Sequence, residues 1–326
     1  MMILHAGVRR LTRLTARIVM VAVLGALAAC ASPSVPAPPS ADRSAASIGA
    51  DSLPVRAEVA GVPFHPQTEN HCGPAALATV LGWSGVPAQP EDLAGLVLTP
   101  GREGALGHDL VAAARRADRL AVPVAGVESL LAELAAGHPV LVLQNLGLDW
   151  YPQWHFAVAV GYDLEAGSVT LRSGEKERQV MALATFARTW QRADQWALVV
   201  LPPDSLPASA DEDAVLRAAF GLEQAGRYQA AVATYGAALD RWPGSLAALI
   251  GLGNARYGAG QLLGAEAAFR TAVSFHPKEA AAWNNLAHVL AEQGELTEAL
   301  AAAKRAVDLG GANAAYQATL EEIEAI

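Results

Sequence analysis

Gln67-Thr68-Glu69-Asn70-His71-Cys72-Gly73-Pro74-Ala75-Ala76-Leu77 holds the one cysteine of the chain beyond its N-terminal region. It sets a thiol at the expected start of a helix, with a glutamine just upstream. Pro74 suits a first helical position, where a missing N–H loses no bond, and Ala75 to Leu81 carries helical composition. Unpaired N–H groups and the helix dipole at such a start favour a thiolate at Cys72. A buried structural cysteine is the alternative that this stretch alone leaves open.

The chain has two cysteines, and Cys30 closes a leader. Arg9, Arg10, Arg13 and Arg17 precede an apolar run, Ile18 to Ala29, that is shorter than a comfortable membrane span. Leu27-Ala28-Ala29-Cys30 then resembles the lipobox of a bacterial lipoprotein signal; an ordinary secretory signal containing a cysteine is the alternative. The resemblance implies removal of residues 1–29 and lipidation of Cys30. With Ala31 and not an aspartate next, it also implies a place in the cell envelope at the outer membrane, facing the periplasm. Residues 30–57, rich in Ser, Pro and Ala, read as a disordered tether.

Without residues 1–29, Cys72 has no intrachain disulfide partner. The basic residues fall from 23 to 19 against 32 acidic ones, a net charge of −13. Such a balance argues against a nucleic-acid partner. No further long apolar segment follows, so the lipid anchor is the expected membrane attachment.

Residues 58–203 run helices first and strands later. Pro74 to Trp83, Gln89 to Val97, His108 to Ala117 and Val127 to Ala136 end near Gly, Pro or polar turns. Val140 to Gln144, His155 to Val160, Ser168 to Arg172 and Trp196 to Leu201 are short apolar runs between turn signals. The pattern predicts an α+β domain in which an antiparallel sheet packs on helices. His155 opens one of these strands, and a histidine facing a helix-start cysteine can take its proton and return it to a leaving group. Spacing alone does not establish that contact, so a structural histidine remains the alternative.

Four blocks then carry a resemblance: "VPFHPQTENHCGPAALATVLGW", "GHDLVAAARRADRLAVPV", "LLAELAAGHPVLVLQN" and "HFAVAVGYDLEAGSVTLRSG". They resemble the bacteriocin-processing peptidases of family C39, papain-like cysteine peptidases, and in particular the stand-alone C39-like relatives that include a PA2778-type lipoprotein group. The resemblance implies Cys72 as nucleophile and His155 as general base and acid. It implies that Gln67, with the backbone N–H of Cys72, holds the oxyanion of a tetrahedral intermediate. Gln67 stands about one residue closer to the cysteine than the papain-like norm. Asn70 is a weaker donor candidate.

The third member departs from the relatives, which place an aspartate on the next strand. Here that strand ends Leu171-Arg172-Ser173-Gly174-Glu175. A hairpin turning near Glu165 and Ala166 would bring residues 173–176 beside His155, making Ser173 the first candidate to orient the imidazole and Glu175 the second. A serine supplies no charge to an imidazolium. Asp163 reads as a turn residue. His65, His71, Cys72 and His108 have no recognised ligand spacing, so no metal is expected, and the chemistry needs no cofactor.

Leu201 to Pro207 and the acidic run Asp211-Glu212-Asp213 mark a linker, residues 204–212, and a helix start. Beyond it the chain repeats at an interval of 34 residues. Gly226, Gly260 and Gly294 correspond, as do Ala231, Ala265 and Ala299, and Ala238, Ala272 and Ala306. Tyr235, Phe269 and Ala303 keep the same register, as do Pro243, Pro277 and Gly311. The pattern is similar to the tetratricopeptide repeat. It gives three units over 213–311 and a capping helix over 312–326, in which Tyr316, Leu320 and Ile323 share a face.

The expected architecture is therefore an α+β papain-like cysteine peptidase domain followed by an all-α tetratricopeptide solenoid. The expected function is a lipid-anchored peptidase acting on a peptide or protein substrate, with repeats that recruit a protein partner. Two alternatives stay open. One is a papain-like binding or assembly lipoprotein of little or no turnover, and the other is an acyltransferase using the same Cys72 and His155.

Overall fold

The computed structural model describes residues 53–66, 71–98 and 104–326. Cys30, the leader, most of the tether, Gln67 and Asn70 lie outside the described residues. The chain divides into two compact units, one ending at Ala248 and the other beginning at Leu249.

The first unit is built on an antiparallel sheet of seven strands: β1 (Arg56–Glu58), β2 (Leu120–Val124), β3 (Val140–Asn145), β4 (Trp154–Asp163), β5 (Ser168–Ser173), β6 (Lys176–Ala182) and β7 (Ala197–Leu201). Their order is β2-β7-β3-β4-β5-β6, and β1 pairs with the far end of β4. β4 has a register shift between Ala159 and Gly161. A Cβ on Gly161 would lie 2.7 Å from the carbonyl oxygen of Ala57. Glycine at this bend is thus what lets β1 approach the second half of the strand.

Among the described residues five helices accompany the sheet: α1 (Cys72–Trp83), α2 (Pro90–Val97), α3 (Gly107–Arg116), α4 (Val127–Ala135) and α5 (Leu183–Gln191). α1 packs on β4 and is apolar nearly all round, as befits the central helix of the layer, with residues 73–81 all buried. Leu77 and Leu81 join Leu141, Leu171 and Leu198 from the strands in one core. Phe186 and Trp190, one helical turn apart on α5, stack with ring centroids 5.5 Å apart and are fully buried.

The four expected helices and four expected strands are present. Strands β1, β2 and β6 and helix α5 are additions to them. β2 contains Pro123, a residue that breaks a sheet ladder; it is tolerated because β2 is an edge strand and pairs only with β7. β6 carries Lys176, Glu177 and Arg178, and it too is an edge, where charged side chains discourage further pairing.

Helices α6 (Glu212–Gln224) and α7 (Tyr228–Arg241) belong to this first unit. α6 packs along β2 and so covers an otherwise open sheet edge. Asp211 caps α6, its Oδ1 accepting from the amide of Ala214 at 2.8 Å. The segment before it, expected as a linker, is tied down. The buried carboxylate of Glu133 on α4 accepts from the amides of Ala208 and Ser209 and from the Ser209 hydroxyl, at 3.2, 2.7 and 2.6 Å. Burial by itself would raise the Glu133 pKa, but hydrogen bonds from His138 and Ser209 outweigh it and hold the group below its ordinary value. On the other side, Thr234 donates to the carbonyl of Pro203 and Arg241 to that of Pro207.

Five further helices follow: α8 (Leu246–Gly258), α9 (Leu262–Phe275), α10 (Ala280–Glu292), α11 (Leu296–Gly310) and α12 (Ala314–Glu324). The second unit begins within α8. Gly226, Gly260 and Gly294 turn the three hairpins with φ of 70°, 74° and 82°, a region that glycine enters without strain. Ala231, Ala265 and Ala299, and likewise Ala238, Ala272 and Ala306, are fully buried, so their small size sets how closely the paired helices approach. α12 turns Thr319 and Ile323 inward, with Leu320 and Tyr316 partly covered. Among the described residues no helix is long and apolar enough to cross a membrane.

Candidate active site

Cys72 is the first residue of α1, and His71 is its N-cap. The helix thus starts two residues earlier than the position of Pro74 suggests. Pro74 is still accommodated, because it is the third residue, where no intrahelical N–H bond is made; the first such bond runs from Ala75 to the His71 carbonyl at 3.0 Å. The Cys72 thiol is free and half-buried. It stands where unpaired helix-start amides favour negative charge.

Gly73 explains why the cysteine must be followed by glycine. A Cβ there would lie 2.5 Å from the Cβ of Ala105 and 3.6 Å from the ring of Phe156. The start of α1 is therefore wedged between the segment leading into α3 and strand β4. Phe156 follows His155, so the residues after Cys72 and after His155 are packed against one another. Phe156 also meets Trp196 edge to face, with ring centroids 5.5 Å apart, and is 3% exposed.

His155 lies near the start of β4, opposite Gln144 of β3. Its Nε2 is 2.8 Å from the Oγ of Ser173, the last residue of β5. Ser173 is 7% exposed, so this bond is shielded from water. The β4–β5 hairpin turns through residues 164–167, with Asp163 accepting from the amide of Ala166 at 2.9 Å, which makes Asp163 a turn residue. Glu175, by contrast, is exposed in the turn joining β5 to β6. It is Ser173 that reaches the imidazole.

Burial lowers the pKa of His155 below that of a free imidazole, and among the described residues no carboxylate acts against the shift. The neutral imidazole is accordingly the favoured form. With Nε2 engaged by Ser173, Nδ1 is the nitrogen left to accept a proton. A serine can accept from Nε2–H and fix the ring's orientation, but it adds no charge to stabilise an imidazolium.

A polar frame behind His155 has no counterpart in the sequence reading. The buried Gln144 donates to the Thr189 hydroxyl on α5 at 2.6 Å. Asn145 accepts from the amides of Gly147 and Gln153 at 3.0 and 2.9 Å, and its own carbonyl accepts from Arg192 at 2.8 Å. The signal in the sequence was Gln144-Asn145, two amides closing an apolar strand where a turn residue alone would serve. His108 is exposed on α3 beside Asp109.

Comparison with known proteins bears on two stretches of the chain. Residues 59–198 match the model of the Peptidase_C39 like family. Residues 216–278 and 250–318 match a tetratricopeptide repeat model. No curated protein matches the chain. Among solved structures, a putative C39-like peptidase from Bacillus anthracis is 20% identical, with 45% of this chain and 97% of that one covered and a TM-score of 0.38. The type III secretion chaperone SycD of Yersinia enterocolitica, in complex with a peptide of the translocator YopD, is 24% identical, with 34% of this chain and 90% of that one covered and a TM-score of 0.33. The chain thus joins a domain of the C39-like peptidase family, over residues 59–198, to tetratricopeptide repeats over residues 216–318.

Proposed function

We propose that the protein is a cysteine peptidase in which Cys72 is the nucleophile and His155 the general base and acid. The observation that carries the reading is the bond from His155 Nε2 to the buried Ser173 hydroxyl, in a domain whose first helix opens with a free thiol. The sulfur of Cys72 bonds to the carbonyl carbon of a peptide while its proton passes to His155 Nδ1. The C–N bond then breaks, and the leaving amine takes that proton. Water, deprotonated by the same nitrogen, hydrolyses the thioester and returns the thiol. An amine in place of water would give amide transfer by the same route. Gln67 and the Cys72 amide are the proposed oxyanion donors.

A low-turnover form of the same site, serving mainly to bind peptides, is favoured by one observation. The imidazole's partner is Ser173, and burial disfavours the imidazolium that a thiolate would need beside it. Cys30 would anchor the protein by lipid at the outer membrane, facing the periplasm. The repeats would present a surface to a protein partner or to the substrate, as such solenoids commonly do.

The test is cleavage of a mixed peptide library by the full chain, read by mass spectrometry, beside Cys72→Ala and His155→Ala. Cleavage lost in both variants supports the reading. Cleavage that survives Cys72→Ala contradicts it, and peptide binding without cleavage in the parent assigns the low-turnover form.

A further inference from the structure

The connection between β3 and β4, Leu146 to Gln153, and Trp154 at the start of β4 together expose a dense group of apolar side chains among the described residues. Trp150 is 81% exposed, Tyr151 65%, Leu148 56% and Trp154 56%. Large apolar side chains grouped in water mark a binding surface more often than chance placement does. The connection is also held in shape. Its ends are clamped by Asn145, which accepts from the amides of Gly147 and Gln153, and its tip is closed by reciprocal bonds between Leu148 and Tyr151, both 3.1 Å. A Cβ on Gly147 would lie 2.4 Å from the Tyr151 carbonyl oxygen, so the loop is folded tightly on itself. The exposed rings are carried by a built structure.

Its position relates it to the candidate active site. Trp154 directly precedes His155 in β4. Side chains alternate along a strand, so Trp154 lies on the same face as Phe156, which packs against the residue after Cys72. The exposed indole thus shares a face of β4 with the ring that packs beside Gly73, and in the preceding connection Trp150 and Tyr151 hold their rings 6.1 Å apart.

We infer that the Leu146–Gln153 connection and Trp154 form a substrate platform that binds an apolar, aromatic or large aliphatic stretch of the peptide beside the bond presented to Cys72. The peptidase reading supplies the occupant, and the platform rests on it. Charge argues for an uncharged peptide segment over a membrane surface. Between residues 146 and 154 the one charged side chain is Asp149, and there is no lysine or arginine to meet anionic lipid. Trp and Tyr offer wide contact at small entropic cost.

The experiment uses the full chain carrying Cys30→Ser and Cys72→Ala, and a dye-labelled peptide with three consecutive Leu or Phe residues beside its serine-substituted analogue. Fluorescence anisotropy should show the apolar peptide binding at least tenfold more tightly. Trp150→Ser and Trp154→Ser should each remove most of that preference, and Trp154→Phe should keep it. Equal binding of the two peptides overturns the inference, as does an unchanged preference in both Ser variants. If the Ser variants instead lose binding to phosphatidylcholine–phosphatidylglycerol vesicles, or lose a dimer seen by light scattering, with peptide binding unaffected, the platform serves a membrane or a second copy and the inference fails. Labelling of Cys72 by iodoacetamide in the chain that retains it, with and without His155→Ala, separates the two ideas. A His155-independent rate sinks the peptidase chemistry, while selective peptide binding still upholds the platform.

Discussion

His155 Nε2 and Ser173 Oγ lie 2.8 Å apart, and the serine side chain is shielded from water at the end of β5. Orientation of the imidazole is thereby supplied without charge. Because burial already lowers the pKa of His155, a carboxylate at this position would act in the opposite direction.

Ser173→Asp is accordingly expected to raise the imidazole pKa and speed alkylation of Cys72 at neutral pH by about tenfold, the equivalent of one pKa unit. Ser173→Ala should slow it about fivefold, the worth of one ordinary hydrogen bond. Glu175→Gln, in an exposed turn, should leave the rate within about twofold, since exposed charges act weakly. NMR titration of the His155 ring and timed thiol labelling check all three.

Gly73→Ala places a methyl 2.5 Å from the Cβ of Ala105. Such overpacking is expected to cost about 1 to 3 kcal/mol. Ala105→Gly in the same chain should recover much of it. Urea denaturation of the single and double variants measures the coupling directly.

Glu223 on α6 is buried beside the Tyr235 hydroxyl, and burial pushes its pKa up to about 7. A folded-state pKa above the unfolded one means that the carboxyl stabilises relative to neutral pH when protonated. The contribution is present in full below about pH 4.5, declines as pH rises, and is gone once pH passes the folded value. Glu223→Gln should therefore raise the thermal midpoint at pH 8 and change it little at pH 4, with an upper limit of about 3 kcal/mol.

Glu133→Ala leaves the Ala208 and Ser209 amides and His138 without their acceptor inside the fold. The expected loss is about 3 kcal/mol, within the range for breaking a buried, hydrogen-bonded charge. Amide hydrogen exchange at residues 208 and 209 should rise together with it.

What the sequence makes legible follows periodicity and turn chemistry. The 34-residue interval places every hairpin glycine of the repeats, and the apolar runs from Val140 to Leu201 place four strands. Strand β2 hides behind Pro123, which signals a break unless the strand is already known to be an edge. Strand β6 hides behind Lys176-Glu177-Arg178, whose charges protect an edge and mask its apolar alternation. The packing of α6 on β2 is equally invisible along the chain. A 34-residue repeat announces a separate solenoid, whereas its first helix pair completes the sheet unit. The meeting of His155 with Ser173 could be anticipated because a short hairpin fixes register, but the Asn145 clamp depends on a loop whose geometry no local pattern encodes.

The proposed chemistry depends on activation of Cys72 by His155. It is tested most directly by the rate at which iodoacetamide alkylates Cys72 between pH 5 and 9, in the full chain carrying Cys30→Ser, with and without His155→Ala. The rate at pH 7 is expected to be at least tenfold higher with His155 present, rising through an inflection below pH 6.5, where a buried imidazole becomes neutral. Equal rates in the two chains across this pH range would contradict it.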